Sequence, residues 1–128
     1  MATVYSDVVL DHFRNPRNVG SLPAPDISYE IFNPLCGDRI RIEIELGKNE
    51  IRAARFQGDG CAITIAAASL LTEMIVGSNI SDIEIVSGER LLSSLECKIQ
   101  PAREKCALLP LEALRSGIML YKEASSEG

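Results

Sequence analysis

The sequence predicts an α+β domain in which a small antiparallel sheet of about three strands carries helices on one face. Two observations predict it. Arg39–Leu46 alternates strictly, with Ile40, Ile42, Ile44 and Leu46 on one side, the period of a half-buried antiparallel strand. Strand signals also come first in the chain, and the segments from Cys61 onward read as helices.

Taken in order, Tyr5, Val8, Val9, His12 and Phe13 form one helical stripe, stopped by Asn15-Pro16 because a residue before proline avoids the helical region. A loop rich in Pro, Gly and Asn runs to Pro25. Ile27–Phe32 reads as a strand ended by Asn33-Pro34. After Arg39–Leu46, Gly47-Lys48-Asn49-Glu50 supplies a turn and Ile51–Gln57 returns as the partner strand. Its phase is ambiguous, since Ala53 and Ala54 can each face inward. Gly58-Asp59-Gly60 breaks the sheet. Cys61–Val76 is then a long helix that can pack Ala66, Ala67, Leu70, Leu71 and Met74 on the sheet, with Gly77 past its end. Ser81–Ile85 is a short helix with Ser81 and Glu84 at capping-box spacing. Ser87 to about Leu95 is another, and after Pro101 a final helix starts near Arg103 or Cys106 and ends near Glu123. Ser125–Gly128 is expected to fray. No repeat or linker divides residues 1–128, which read as a single domain.

The composition excludes several function classes. An apolar fraction of 46% and a charged fraction of 24% over 128 residues suit a globular domain with its own core. A net charge of −5 with only 5% aromatic residues argues against a nucleic-acid partner. The longest apolar run, Ala62–Leu71, is interrupted by Thr64 and Ser69 and is too short to cross a bilayer, so no membrane partner is expected. No secretory signal pattern is visible, which points to the cytoplasm. Four cysteines there, at 36, 61, 97 and 106, read as free thiols or metal ligands rather than disulfides. No Cys-x-x-Cys occurs, so a compact zinc ribbon and a thioredoxin-type pair are disfavoured.

Three of the four cysteines lie at element ends. Cys36 sits in the Pro34-Leu-Cys-Gly-Asp38 turn, Cys61 between a glycine turn and a helix start, and Cys106 near the start of the last helix. Cysteine acts as nucleophile and ligand only as the thiolate, which a helix N-terminus or neighbouring cations such as Arg103 and Lys105 favour. Glycines 37, 58 and 60 permit close backbone approach. Asp38 adds an oxygen donor to a sulfur set suited to zinc or iron–sulfur centres, and a carboxylate there would be a more labile contact than a fourth thiolate. Each position has a plainer reading. Cysteine is also a small buried hydrophobe, and Cys97 fits that description best. Asp38 can cap a turn. His12 reads as a packed, hydrogen-bonded helix residue. Arg39, Arg41, Glu43 and Glu45 read as one solvated strand face. Gly58-Asp-Gly60 lacks the rest of a phosphate loop, and the lone histidine has no nucleophile partner for a hydrolytic triad.

Together the motifs resemble the IscU/SufU/NifU family of iron–sulfur cluster assembly scaffolds. The resemblance rests on Tyr5-Ser-Asp-Val-Val-Leu-Asp-His-Phe-Arg-Asn-Pro-Arg-Asn-Val-Gly20, Asn33-Pro-Leu-Cys-Gly-Asp38, Gly58-Asp-Gly-Cys-Ala-Ile63 and Arg103-Glu-Lys-Cys-Ala-Leu108, in family order over nearly the whole chain. It implies a SufE/NifU-like α+β fold and a scaffold that takes persulfide sulfur from a cysteine desulfurase. Such a scaffold binds iron and hands a transient [2Fe–2S] cluster to acceptor or carrier proteins. Carried over, Cys36, Cys61 and Cys106 are the thiolate ligands, and Asp38 is a further ligand or tunes release. Cys106, beside Arg103 and Lys105, is the candidate persulfide acceptor. The resemblance also implies an alternative, a zinc-dependent sulfurtransferase of SufU type that stimulates the desulfurase, and leaves a purely structural zinc domain as a third reading. Lys105 replaces the histidine that precedes the third cysteine in IscU and sides with SufU, whereas the short span between Cys61 and Cys106 lacks the usual SufU insertion. Ile99-Gln-Pro-Ala-Arg103 keeps little of the segment that recruits a dedicated Hsp70-type chaperone, which argues against that partner.

Overall fold

The computed structural model describes residues 5–48, 50–83 and 86–127. Strands β1 (Ile27–Asn33), β2 (Asp38–Leu46) and β3 (Ile51–Asp59) form one antiparallel sheet in the order β1-β2-β3. The alternation of β2 turns Ile40, Ile42 and Ile44 to one face, where Ile31, Tyr29 and Ile27 of β1 stand opposite them. On β3 the alternation is broken. Glu45 pairs with Ala53 but Leu46 pairs with Ile51, so Arg52 is an extra residue. A bulge of this kind resets which residues face inward. Ile51, Ala54 and Phe56 are therefore all buried, and the ambiguity between the two alanines resolves to Ala54.

Helices α2 (Ala62–Ile75) and α5 (Pro101–Glu127) pack on the inward face, so the expected α+β architecture with helices on one side is what forms. Helix α1 (Asp7–Arg14) lies against α2 and α4 (Gly88–Ser94) against α5 and α2. Covered on both sides, α2 buries residues around nearly its whole circumference, from Ile63 and Ala66 to Ala68 and Ile75. Gly117 lets α5 approach β1, since a Cβ there would fall 2.9 Å from Ile27 Cγ2. Ser6 ties α1 to α4: its Oγ accepts from Val9 N and donates to the Leu95 carbonyl.

Some boundaries shift. Helix α5 begins at Pro101, ahead of Arg103, because proline needs no amide partner in a first turn. It continues past Glu123 to Glu127, for no glycine or proline lies between Glu123 and Gly128. The short helix α3 spans Ile80–Ile83, which puts Ser81 inside it rather than at its cap; Glu84 and Ile85 lie outside the described residues. Pro110 sits within α5, where it lacks the N–H that would close onto the carbonyl of Cys106. Among the described residues no helix is long and apolar enough to cross a membrane.

The outward face of the sheet is not wholly solvated, contrary to the reading of Arg39, Arg41, Glu43 and Glu45 as one exposed face. Asn18 and Gly20 exchange backbone hydrogen bonds with Phe56 on the free edge of β3. The chain then crosses the sheet, donating Leu22 N–H to Glu43 Oε1 at 2.7 Å, and joins β2 again where Asp26 N–H meets the Ile44 carbonyl. Glu43 is buried beneath this strap, its other oxygen 3.0 Å from Arg41 Nε. Burial of the carboxylate is tolerated because both oxygens have partners.

His12 is buried between α1 and α2, as a hydrogen-bonded helix residue. Its Nδ1 lies 2.7 Å from Ser69 Oγ, which also accepts the Arg17 N–H at 2.9 Å. The serine proton is then free for Nδ1, which leaves the imidazole proton on Nε2, facing Glu73 at 3.7 Å. Burial, and secondly the Arg17 charge, hold the His12 pKa below its ordinary 6.5, while Glu73 and Asp11 oppose the shift. The unfolded chain therefore takes up this proton more readily than the folded one. The stability owed to neutral His12 is complete above pH 6.5 and is lost as pH falls through the lower, folded value. Proton NMR of the chain's single histidine is expected to show a midpoint below 6.5, and a midpoint at or above it would contradict this packing.

Candidate metal centre

The site is assembled at one end of the sheet from three elements far apart in sequence. In the loop between β1 and β2, Asn33 Oδ1 accepts from Leu35 N–H and the Asn33 carbonyl accepts from Gly37 N–H. Gly37 takes φ +75, a left-handed conformation that favours glycine. This turn holds Cys36 exposed at its tip. Two residues on, the alternation that buries Ile40, Ile42 and Ile44 carries Asp38 to the same inward face, where it is only 5% exposed. Strand β3 ends at Asp59, and Cys61 becomes the N-cap residue of α2. Its sulfur caps no backbone amide and lies 3.5 Å from Thr64 Oγ1. Thr64 in turn donates to Asp38 Oδ2 at 2.6 Å. Cys106, in the second turn of α5, is buried from the opposite side.

Cys36 Sγ, a carboxylate oxygen of Asp38 and Cys106 Sγ all lie within 4.8 Å of one another. Donors on one tetrahedral ion with metal–sulfur bonds of about 2.3 Å stand roughly 3.5–4 Å apart, so a small closure suffices. Two thiols and a carboxylate suit zinc or iron, and the donor set fits such an ion. Cys61, the remaining predicted ligand, is not part of this close group of three; it stands near enough for its charge, with those of Cys36 and Asp38, to act on Cys106. Cys97 stands apart, packed half-buried against the core.

Electrostatics differ from the sequence expectation at Cys106. A helix N-terminus was expected to favour its thiolate, but the free amides belong to the first four residues of α5 and Cys106 lies beyond them. Lys105 is turned to solvent while Cys106 is buried. Burial first, then the hydrogen bond to Cys36 and the negative fields of Cys36, Cys61 and Asp38, push the Cys106 thiol up to about 12. The most exposed thiol of the site is Cys36, and Cys61 is half-buried. Sequence reasoning missed Thr64. Its signal was present, a hydroxyl three residues after Cys61 in an otherwise apolar first turn.

Comparison with known proteins places this arrangement. The chain is 35% identical to the zinc-dependent sulfurtransferase SufU of Bacillus subtilis, over 91% of this chain and 90% of that one. It is 37% identical to the iron–sulfur cluster assembly scaffold protein IscU 1 of Archaeoglobus fulgidus, over 92% of this chain and 76% of that one. A crystal structure from Fervidobacterium islandicum AW-1, described as a candidate cluster assembly scaffold for the SUF system, shares the fold with a TM-score of 0.79. It is 23% identical and matches 89% of this chain and 96% of that one. The family model for the NifU-like N-terminal domain matches residues 4–127, which takes in all three elements of the site, and the chain belongs to that family.

Proposed function

We propose that residues 1–128 act as one domain that assembles iron–sulfur clusters. It takes sulfur from a cysteine desulfurase, gathers it with iron at Cys36, Asp38, Cys61 and Cys106, and passes a [2Fe–2S] cluster to acceptor or carrier proteins. The observation that carries this reading is a half-open donor group. Exposed Cys36 lies within 4.8 Å of buried Cys106 and Asp38, so cargo can reach and leave the group at one rim while the other donors stay fixed. Free thiols persist in a reducing compartment, which supports the cytoplasm as its location.

In the sulfur step, a thiolate of this chain attacks the terminal sulfur of the desulfurase persulfide. A new S–S bond forms as the old one breaks, the desulfurase cysteine leaves as thiolate, and no oxidant is consumed. Cys106, the acceptor expected from its basic neighbours, is buried and holds its proton tightly. Exposure favours Cys36 for the first contact, and its sulfur lies within 4.8 Å of that of Cys106, within reach for onward transfer.

A second reading, a zinc-dependent sulfurtransferase, is favoured by donor spacing that suits one ion and by the likeness to the Bacillus subtilis protein. Zinc held by Cys36, Asp38, Cys61 and Cys106 would keep their thiols ionised at neutral pH. Within that set, Cys36 at the hairpin tip is the donor with room to turn outward to a sulfur donor.

Anaerobic incubation with desulfurase, cysteine, iron and a dithiol reductant, which supplies the two electrons that turn each persulfide sulfur into sulfide, tests both. A visible cluster spectrum that moves to an added apo-acceptor supports assembly. Tight zinc with faster desulfurase turnover and no cluster supports sulfur transfer. In either case Cys36→Ser is expected to abolish the mass gain of one sulfur atom on the chain, and Cys106→Ser to retain it. Sulfur loading that survives Cys36→Ser and is lost in Cys106→Ser would return the acceptor role to Cys106.

A further inference from the structure

We infer that Thr64 is a positioning residue of the metal centre, holding the Asp38 carboxylate in the orientation in which it serves as a ligand. The inference rests on the proposed metal-binding reading of the site. Thr64 is fully buried at the start of α2, three residues past the Cys61 cap, among apolar neighbours. A hydroxyl there needs an acceptor, and it reaches across to another element, donating to Asp38 Oδ2 at 2.6 Å. That distance is at the short end of the range for an O–H···O hydrogen bond. In a helix the β-branched side chain is confined to two rotamers, and the one seen here points its hydroxyl at Asp38. One carboxylate oxygen is thus engaged from the α2 side, which orients the plane of the group. The same Oγ1 lies 3.5 Å from Cys61 Sγ, so one hydroxyl stands between two proposed ligands carried by different elements.

Gly60 supplies an independent observation. A Cβ on it would fall 3.0 Å from Thr64 Cβ and 3.2 Å from Asp38 Cγ. The backbone before Cys61 therefore closes directly over the Thr64–Asp38 pair, and the space for a side chain is given up to it. Outer partners of this kind commonly change metal affinity about 10–100-fold when removed.

The test compares Thr64→Val, which keeps the shape and removes the hydroxyl, with Thr64→Ser, which keeps the hydroxyl. Zinc affinity is measured by chelator competition, and the cobalt-substituted protein gives a ligand-field spectrum. Thr64→Val is expected to weaken zinc about 10–100-fold and to alter the cobalt bands, with Thr64→Ser close to wild type. Wild-type affinity and spectrum in Thr64→Val would overturn the assignment, as would equal losses in both variants, which would point to the methyl group rather than the hydroxyl. Should Thr64→Val fail to fold with a buried carboxylate unpaired, Asp38→Ala is compared with Asp38→Ala/Thr64→Val, where neither polar partner remains. No further loss of zinc affinity on adding Thr64→Val supports action through Asp38, and a further loss overturns it. Wild-type protein that binds neither zinc nor cobalt overturns the metal reading itself, and with it the role of Thr64.

Discussion

Gly58→Ala is expected to cost about 3 kcal/mol or more, a large part of the stability of a typical domain. A Cβ at Gly58 would fall 2.0 Å from the backbone oxygen of Arg39 and 2.9 Å from Ile40 Cδ1. The first of these atoms cannot swing aside as a side chain can. Gly58 pairs with Ile40 and its neighbour Asp59 with Arg39, so relieving the clash opens the ladder between β2 and β3 beside Asp38. The expected readout is a lower urea midpoint, or loss of soluble protein. Gly37→Ala is the contrast. Its φ of +75 is unfavourable to alanine, but nothing lies within 4 Å of the new Cβ, so only the backbone penalty of about 1–2 kcal/mol applies. A Gly58→Ala protein as stable as Gly37→Ala would mean that the β2–β3 pairing is not as described.

Cys106→Ala is expected to lower zinc affinity on the order of a hundredfold or more while the fold survives. It removes one member of the Cys36–Asp38–Cys106 group and leaves no close substitute on α5. The loss of packing is small, because the side chain is short and lies at the edge of the core formed by Ile40, Ile42, Ile44, Leu71, Leu111 and Leu114. That core draws on the sheet, α2 and α5 alike and needs no metal to close it. Stripping metal with a chelator is accordingly expected to leave the far-ultraviolet circular dichroism and a cooperative thermal transition in place. A chain that unfolds on chelation, and equally with Cys106→Ala, would instead be a structural zinc domain.

Much of this molecule could be read from local patterns. The two-residue period of Arg39–Leu46 reports which side chains share a face, and continued backward it includes Asp38 and points at Cys36. Asn33-Pro34 and Gly37 mark the turn, and Gly58 and Gly60 mark where β3 gives way to α2. The four proposed donors are named by short motifs around each of them. Such signals depend on neighbours within a few residues, which the order of amino acids states directly.

What covers a residue is another matter. Glu43 sits in an exposed-looking alternation, but the strap from Asn18 to Asp26 passes over it. Ala54 rather than Ala53 faces inward because of a bulge opposite Leu46. Cys106 carries basic neighbours in sequence, yet α5 presses its thiol against Cys36, and burial governs its proton. Thr64 finds its acceptor on a strand 26 positions earlier. Residue types and their local spacing determined the strands, the main helices and the choice of proposed donor atoms. Tertiary packing alone decided which of those atoms are dry, which meet, and which is most exposed, because dielectric environment and contact between distant segments arise only when the whole chain has closed on itself.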